Sequence, residues 1–261
     1  MRATPSRRRL PRRSRKRGCE PRSSRRLRNF GRRREVKACM PGHSHSHFAE
    51  SFEMYMKAIY RLEREGPGVT TSALASELGV APASVSGMLK KLVNDGFVEH
   101  EVRGDIKLTR KGLEVAVGVV RRNRLAERLL TDVLKMPWDE VYAEACILEH
   151  AITERVEERL VSVLGDPRTC PHGHPIPPKD LTEPVRTGIP LAQVDPGKRV
   201  TVSGVTEQMP EILRYLGQVG LRPGVKLKVI EKAPLGGPLT IEVSGERHAI
   251  SLELARTVMI A

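Results

Sequence analysis

The stretch TTSALASELGVAPASVSGMLKKLVNDGFVEHEVRGDIKLT, residues 70–109, decides the fold of the N-terminal half. Thr70 or Thr71 offers an N-cap and Gly79 a C-cap for one short helix, and a second short helix follows after almost no gap. The end of the stretch has two short apolar runs around a turn at Gly104, which indicates a β-hairpin. Two short helices and a hairpin, after a longer first helix, are typical of a winged helix-turn-helix.

The second short helix has an apolar face and an opposite face of small and basic residues. On a recognition helix the early residues meet base edges and the later lysines meet phosphate. We expect DNA contacts from this face and from the tip of the wing, namely from Ser84, Ser86, Gly87, Lys90, Lys91 and Arg103. The alternative is an amphipathic helix that only packs in a bundle. The order of helices and wing along the chain favours DNA binding.

The net charge of +14 comes from the N-terminal tail. Residues 1–39 hold 17 Lys and Arg against two acids, whereas the remainder holds 28 basic and 29 acidic residues. A like-charged, apolar-poor segment is expected to be disordered and can bind nucleic acid non-specifically. Periodic structure begins only after Met40, so the alternative is that Met40 is the initiator. Three histidines follow at positions 43, 45 and 47, and they indicate either a metal scavenger or a solvated tail.

A second constellation lies in EACILEHA, residues 144–151, where a thiol, a carboxylate and an imidazole recur at i, i+3 and i+4. These residues, Cys146, Glu149 and His150, lie within about 100° of one helix face. Such donors suit a divalent transition metal. The alternative, a buried cysteine beside a surface Glu-His pair, is open on spacing alone.

The fold class that the whole sequence predicts is mainly α with small β parts. An apolar stripe at Leu148, Ile152, Val156 and Leu160 needs a partner helix, either in the same domain or across a dimer. Eight of the 19 prolines lie between Pro167 and Pro196, and alternating strands follow. We therefore expect five segments. They are a basic tail (1–48), a winged helix-turn-helix (49–109), a second helical domain (110–165), a proline-rich linker (166–196) and an SH3-like β-barrel (197–261).

Four segments resemble the diphtheria toxin repressor and iron-dependent regulator family. They are EMYMKAIYRLEREG (53–66), RLAERLLTDVL (124–134), EACILEHAITERVEERLV (144–161) and CPHGHPIP (170–177). The resemblance covers nearly everything from about Ser51 onward. It implies a homodimer that a divalent metal, chiefly ferrous iron, activates to bind operator DNA and to repress metal-uptake genes. It also implies that residues 110–165 are the dimerisation and metal-binding domain.

The resemblance also implies a primary metal site made of Met54, Cys146, Glu149 and His150. For a second, ancillary site it implies Glu127 and, from the C-terminal domain, Glu207. Two histidines of that ancillary site are replaced, because this chain has Asn123 and Tyr142 at their positions. A conventional ancillary site is therefore not expected. The CPHGHPIP segment has CxHxH spacing like a metal clip, and we interpret it as a turn.

The metal expected from the resemblance is Fe²⁺, with Mn²⁺ second. Manganese regulators of the superfamily have acids at the positions of Met54, Cys146 and Lys57, whereas Met and Cys favour a softer ion. The expected setting is cytoplasmic, because four scattered cysteines do not suit a disulfide scaffold and no apolar run is long enough for a membrane span. No small organic substrate is expected. The alternatives are a metal-independent winged-helix regulator and, in another class, a mononuclear metalloenzyme.

Overall fold

The computed structural model describes residues 47–66, 68–100, 105–182, 188–206 and 208–261. Expectations for the basic tail, for the histidines at 43 and 45, for Arg103 at the wing tip and for Glu207 therefore lie outside the described residues.

The N-terminal unit has the predicted order of three helices and a two-stranded hairpin. Its elements are α1 (His47–Glu65), α2 (Thr71–Leu78), α3 (Pro82–Asn94), β1 (Val98–His100) and β2 (Ile106–Leu108). The Thr70 hydroxyl caps α2 by accepting a hydrogen bond from the Ala73 N–H at 3.1 Å. Gly79 ends that helix with a left-handed φ of 65°. Because β1 and β2 pair antiparallel, the hairpin is present as expected.

The helical region that follows begins where Thr109 caps α4 (Arg110–Arg128) by accepting from the Gly112 N–H at 3.1 Å. A Cβ at Gly112 would collide with the Phe97 carbonyl oxygen, so only glycine lets α4 start this close to the wing. A π-helix, α5 and α6 complete the region, at Leu129–Val133, Val141–Leu148 and Glu154–Leu164.

The segment from 144 to 164 is not the single helix that the spacing predicts. Helix α5 ends at Leu148, a turn follows, and α6 begins after Thr153, whose hydroxyl accepts from the Val156 N–H at 3.4 Å. The break has a local cause, since a threonine hydroxyl that caps a new helix competes with continuation of the old one. Glu149 and His150 therefore lie in the turn after α5, and only Cys146 is on the helix itself.

Most of the predicted apolar stripe is used inside the protomer. Leu148 and Ile152 pack beside a small buried cluster between α4 and α5, and Leu160 is buried in a neighbouring cluster. Val156 is 44% exposed. The exposed apolar side chains of α5 and α6, which remain available to a second subunit, are Ile147, Val156 and Val163.

The C-terminal region is a six-stranded sheet with the order β3-β8-β4-β5-β6-β7. Its elements are β3 (Ile189–Pro190), a 3-10 turn (Leu191–Gln193), β4 (Arg199–Val205), α7 (Pro210–Gln218), β5 (Lys226–Lys232), β6 (Leu239–Val243), β7 (Glu246–Ile250), α8 (Leu252–Thr257) and β8 (Val258–Ile260). Among the described strands, β3 and β7 are the two edges, so this sheet is open and the expected closed barrel is not shown.

Trp138, in the loop before α5, anchors the helical region to the C-terminal sheet. Its side chain is 5% exposed and belongs to the hydrophobic core of the C-terminal region. The Arg222 guanidinium lies 5.1 Å from its ring, and Arg214 pairs with the neighbouring Asp139 at 3.0 Å. No helix among the described residues is long and apolar enough to cross a membrane.

Candidate metal centre

Helix α3 presents the predicted DNA-binding face to solvent. Val85, Leu89 and Leu92 are buried on its inner side. The predicted contact residues on this helix are all exposed, namely Ser84, Ser86, Gly87, Lys90 and Lys91. A Cβ at Gly87 would meet nothing within 4 Å, so the helix surface is open at this position. The exposed face of α3 thus combines small residues with two lysines.

The predicted primary centre, which contains Cys146, Glu149 and His150, lies where α1 meets the end of α5. The Lys57 ammonium of α1 donates to Glu149 Oε2 at 2.6 Å and to Cys146 Sγ at 3.5 Å. Glu53, one turn earlier on α1, has its Oε2 2.5 Å from His150 Nδ1. Each of the three residues predicted from spacing and resemblance therefore contacts α1, but their donor atoms do not all lie within 4.8 Å of one another.

Met54, the fourth predicted ligand, follows Glu53 on α1. Its side chain is partly buried and packs against the hydrophobic core of the N-terminal unit. The residues at the two replaced histidine positions also face this centre. Asn123 Nδ2 lies 3.8 Å from Cys146 Sγ, and Lys57 Nζ lies 5.5 Å from the centre of the Tyr142 ring.

The electrostatics of the primary centre favour bound positive charge. Burial would lower the pKa of Lys57, but the Glu149 carboxylate and the Cys146 thiol outweigh it and raise that pKa above its ordinary value. Burial likewise opposes protonation of His150, yet the hydrogen bond to Glu53 and the charge of Glu149 raise the His150 pKa. Around this cluster the protein thus stabilises cations.

The residues at the primary centre fit a divalent transition metal. Cys146 is 2% exposed and Glu149 is fully buried. Glu149 Oε1 has no hydrogen-bond partner, although His150 Nε2 lies 3.5 Å away. A buried carboxylate oxygen without a donor is costly, and a metal ion is one group that satisfies it. Sulfur, imidazole and carboxylate donors together suit Fe²⁺, Mn²⁺ or a similar ion.

A second buried group of metal donors lies between α4 and the CPHG turn, and it consists of Glu127, Cys170 and His172. One ligand atom of each lies within 4.8 Å of the others. His172 Nε2 lies 2.8 Å from the Trp138 carbonyl oxygen, which is the distance expected when an Nε2–H donates to that oxygen. The other ring nitrogen, Nδ1, lies 3.5 Å from Glu127 Oε2. In the neutral ring this leaves Nδ1 as a lone-pair donor, the state that a metal requires.

The CPHGHPIP segment does form a turn, closed by a hydrogen bond from the Cys170 N–H to the His174 carbonyl at 2.9 Å. Interpretation as a turn alone is incomplete, because that turn aims Cys170 and His172 at Glu127. The CxH spacing is the signal that the sequence offers for this group. Glu127 lies more than 40 positions earlier, so no local pattern joins it to the pair.

Glu127, which the family resemblance assigns to an ancillary site, lies with Cys170 and His172 in this second group of donors.

These features define a class of protein, namely metal-dependent DNA-binding regulators. The chain belongs to the iron-dependent repressor family. Residues 47–105 match the iron-dependent repressor N-terminal DNA-binding domain, residues 109–178 match its metal-binding and dimerisation domain, and residues 189–261 match the FeoA domain.

Individual relatives agree with this assignment. The chain is 36% identical over 229 residues to the iron-dependent repressor IdeR of Mycobacterium tuberculosis, covering 81% of this chain and 96% of the relative. It is 30% identical over 221 residues to the diphtheria toxin repressor of Corynebacterium diphtheriae, with coverages of 81% and 96%. A solved manganese-dependent transcriptional repressor in complex with manganese is similar with a TM-score of 0.74 and 31% identity, covering 80% of this chain and 99% of that one. The family is one of transcriptional repressors, not of enzymes.

Proposed function

We propose that this chain represses transcription by binding operator DNA as a homodimer when a divalent metal occupies the centre formed by Met54, Cys146, Glu149 and His150. Ferrous iron is the favoured ion and Mn²⁺ the second, because a thioether and a thiolate are softer donors than the carboxylates preferred by manganese. The protein acts in the cytoplasm, on genes for metal uptake.

The observation that carries the proposal is the contact between α1 and the end of α5. Glu53 and Lys57 reach from the DNA-binding unit to His150, Glu149 and Cys146 of the second unit. A bound ion supplies the positive charge that holds donors from the two units together. Glu53 accepts from His150 Nδ1 and so orients the ring with Nε2 toward Glu149, which is the usual role of a carboxylate behind a metal-binding histidine.

Fixing α1 against α5 also fixes the angle at which a dimer presents its two α3 helices. Half-sites on DNA are spaced by the helical repeat, so a variable angle costs affinity. Metal binding then shifts the population toward the DNA-competent arrangement. In this arrangement residues 49–109 form the DNA-binding domain, residues 110–165 the helical dimerisation and metal-binding domain, and residues 166–196 the linker. Residues 197–261 form the last domain, an SH3-like barrel.

A second proposed centre consists of Glu127, Cys170 and His172, with Glu207 of the C-terminal domain as a candidate fourth donor. Two orphaned atoms support it, since neither Glu127 Oε2 nor His172 Nδ1 has a hydrogen-bond partner and both are buried beside a thiol. Glycine at 173 keeps the turn against β4, where the Val205 N–H donates to the His172 carbonyl at 2.8 Å.

Replacement of Cys146 or His150 by alanine tests the primary centre. Metal-dependent operator binding is expected to disappear in both variants, because each loses a donor, while the helical circular dichroism signal remains. His248→Ala, on β7 of the C-terminal sheet, is the matched control. Wild-type operator affinity for Cys146→Ala in the same metal buffer would show that the centre is elsewhere or that regulation does not need metal.

A further inference from the structure

Lys57 places a positive charge among the donor atoms of the primary centre. Its Nζ lies 2.6 Å from Glu149 Oε2 and 3.5 Å from Cys146 Sγ. The lysine side chain is 12% exposed and that of Glu149 is 0% exposed. The ammonium thus sits, shielded from water, against two atoms that belong to the proposed ligand set.

The same ammonium explains how the centre can be stable without a metal. A buried carboxylate is strongly unfavourable unless a cation or several hydrogen bonds compensate its charge. Among the described residues, Lys57 is the cation that pairs with Glu149, and His150 Nε2 approaches the second oxygen only to 3.5 Å. Lys57 therefore compensates the charge of Glu149 in the metal-free protein, but it does not join Met54 or His150 to that carboxylate.

A metal ion that bound the two atoms held by Lys57 would compete with it. Bonds from a transition metal to carboxylate oxygen and thiolate sulfur are about 2.0–2.3 Å long. An ion at that distance from both Glu149 Oε2 and Cys146 Sγ would share these two atoms with the lysine ammonium, and like charges that close repel. Lys57 must give up both atoms before an ion can take them, whereas Glu149 Oε1 has no hydrogen-bond partner to lose.

Helix α1 provides a place for the displaced ammonium. Glu53 lies four residues earlier on the same helical face, and its side chain is 26% exposed. A glutamate four residues before a lysine is the favourable order for a helical ion pair. Glu53 already pairs with Arg122 at 2.8 Å and with His150, so a lysine that swings toward solvent would join an existing group of ion pairs.

We propose that Lys57 is a resident cation of the primary centre, which a metal must displace, and that this competition sets the metal concentration at which the protein is activated. The inference rests on the proposed metal-binding function of Cys146 and Glu149. It assigns Lys57 no role as a ligand, and its effect is to raise the threshold for metal.

The test is Co²⁺ titration of the full chain under anaerobic conditions, monitored by the Co²⁺–thiolate absorption band, with thermal unfolding of the metal-free protein measured in parallel. Lys57→Met keeps the apolar stem and removes the charge. It is expected to bind Co²⁺ roughly tenfold more tightly, because the competing state is lost. It is also expected to melt at a lower temperature without metal, because Glu149 then lacks its cation.

Two further variants check this result. Lys57→Gln keeps an N–H donor for Glu149, so it should fold even if Lys57→Met does not, and it should also bind Co²⁺ more tightly than wild type. Lys179→Met removes a half-exposed lysine that pairs with Glu154 at 3.0 Å and should leave the Co²⁺ affinity unchanged.

Unchanged or weaker Co²⁺ binding by folded Lys57→Met or Lys57→Gln overturns the role of Lys57. The proposed function fails separately, if wild type shows no thiolate band or if Cys146→Ala retains it in full.

Discussion

His172 is a buried residue whose two ring nitrogens have different partners. Nε2 lies 2.8 Å from the Trp138 carbonyl and Nδ1 lies 3.5 Å from Glu127 Oε2. Burial opposes protonation, but interactions with Cys170 and Glu127 raise the pKa of His172 to about 10 in the absence of metal. At the proposed second centre, a proton and a metal ion would compete for Nδ1.

A dependence of stability on pH follows from His172. Its folded-state pKa lies above the ordinary value of 6.5. The stabilising contribution is therefore full below about pH 6.5 and is lost as the pH rises toward about 10. With a chelator present to remove metal, wild type should have a larger free energy of unfolding than His172→Gln at about pH 6. This difference should be smaller by about 1–3 kcal/mol at about pH 9. Urea unfolding measures it, His248→Gln serves as the control, and an equal difference at both pH values contradicts the expectation.

Single residues are predictable only where the sequence brings them close together. Cys146, Glu149 and His150 fall within five positions, so the sequence shows them as one group, although spacing alone also allows a buried cysteine beside a surface Glu-His pair. Met54 is inferred from the resemblance to a family, because no local pattern connects it to that trio. The contacts of Lys57 and the partnership of Glu127 with the CPHG turn depend on tertiary packing, which spacing does not encode.

At the scale of elements, the turn that carries Cys170 and His172 depends on Gly173. This glycine has a φ of 87°, and an added Cβ would collide with the Ser203 carbonyl oxygen of β4. Gly245, between β6 and β7, has a similar φ of 89°, but a Cβ there would meet nothing within 4 Å. Substitutions at these two positions therefore distinguish the cost of a left-handed backbone from the cost of a steric collision.

Alanine at Gly173 should destabilise the protein more than alanine at Gly245. Both substitutions cost roughly 1–2 kcal/mol for the left-handed backbone, and only the first also forces β4 to shift. Thermal and urea unfolding of the two variants measure the difference. Equal losses would mean that the CPHG turn can move away from β4 without cost.

The recognition helix offers an element-scale test of DNA binding. Lys90 is exposed on α3, on the side opposite the buried Val85, Leu89 and Leu92. Lys90→Ala should weaken binding to all duplexes similarly and reduce the slope of log affinity against log salt by about 1, as expected for one lost phosphate contact. Lys198→Ala, exposed in the C-terminal region, should change neither quantity. A change in base preference with no change in slope would instead mean that Lys90 reads bases.

The sequence predicts which helices and strands form better than it predicts the residues at which they begin and end. The winged helix follows from capping residues, periodicity and a turn, all of which act locally. The break between α5 and α6 is not predicted, because Thr153 lies in a sequence whose apolar spacing continues across it, and a capping threonine looks like any other polar residue until the chain turns. The break moves Glu149 and His150 off the helix while keeping them beside Cys146.

At the scale of the whole molecule, Trp138 connects the second centre to the C-terminal sheet. Its ring lies 5.4 Å from the His172 ring, and it is the only tryptophan in the chain. Its fluorescence therefore reports on one place, the junction of Glu127, the CPHG turn and the C-terminal core.

Zinc added to chelator-treated protein should change the tryptophan emission through His172. The change should be absent in Cys170→Ala, which lacks a donor of the second centre, and should persist in Cys146→Ala, which lacks one of the first. An emission titration of the three proteins measures it. A signal that depends on Cys146 and not on Cys170 would place the responding ion at the primary centre.

The contacts that build the primary centre join residues far apart in the chain. Lys57 and Glu149 are 92 positions apart, and Arg61, one turn further along α1, binds Gln208 at 2.8 Å across 147 positions. Closing such long loops costs more entropy and comes later in folding than forming the local helices and hairpin of the winged helix. The winged helix therefore forms mainly through contacts between residues that are close together in the sequence. The proposed metal centre can form only after the chain has emerged at least as far as His150 and α1 has packed against the end of α5. A nascent chain can therefore have a folded DNA-binding unit before it has that centre.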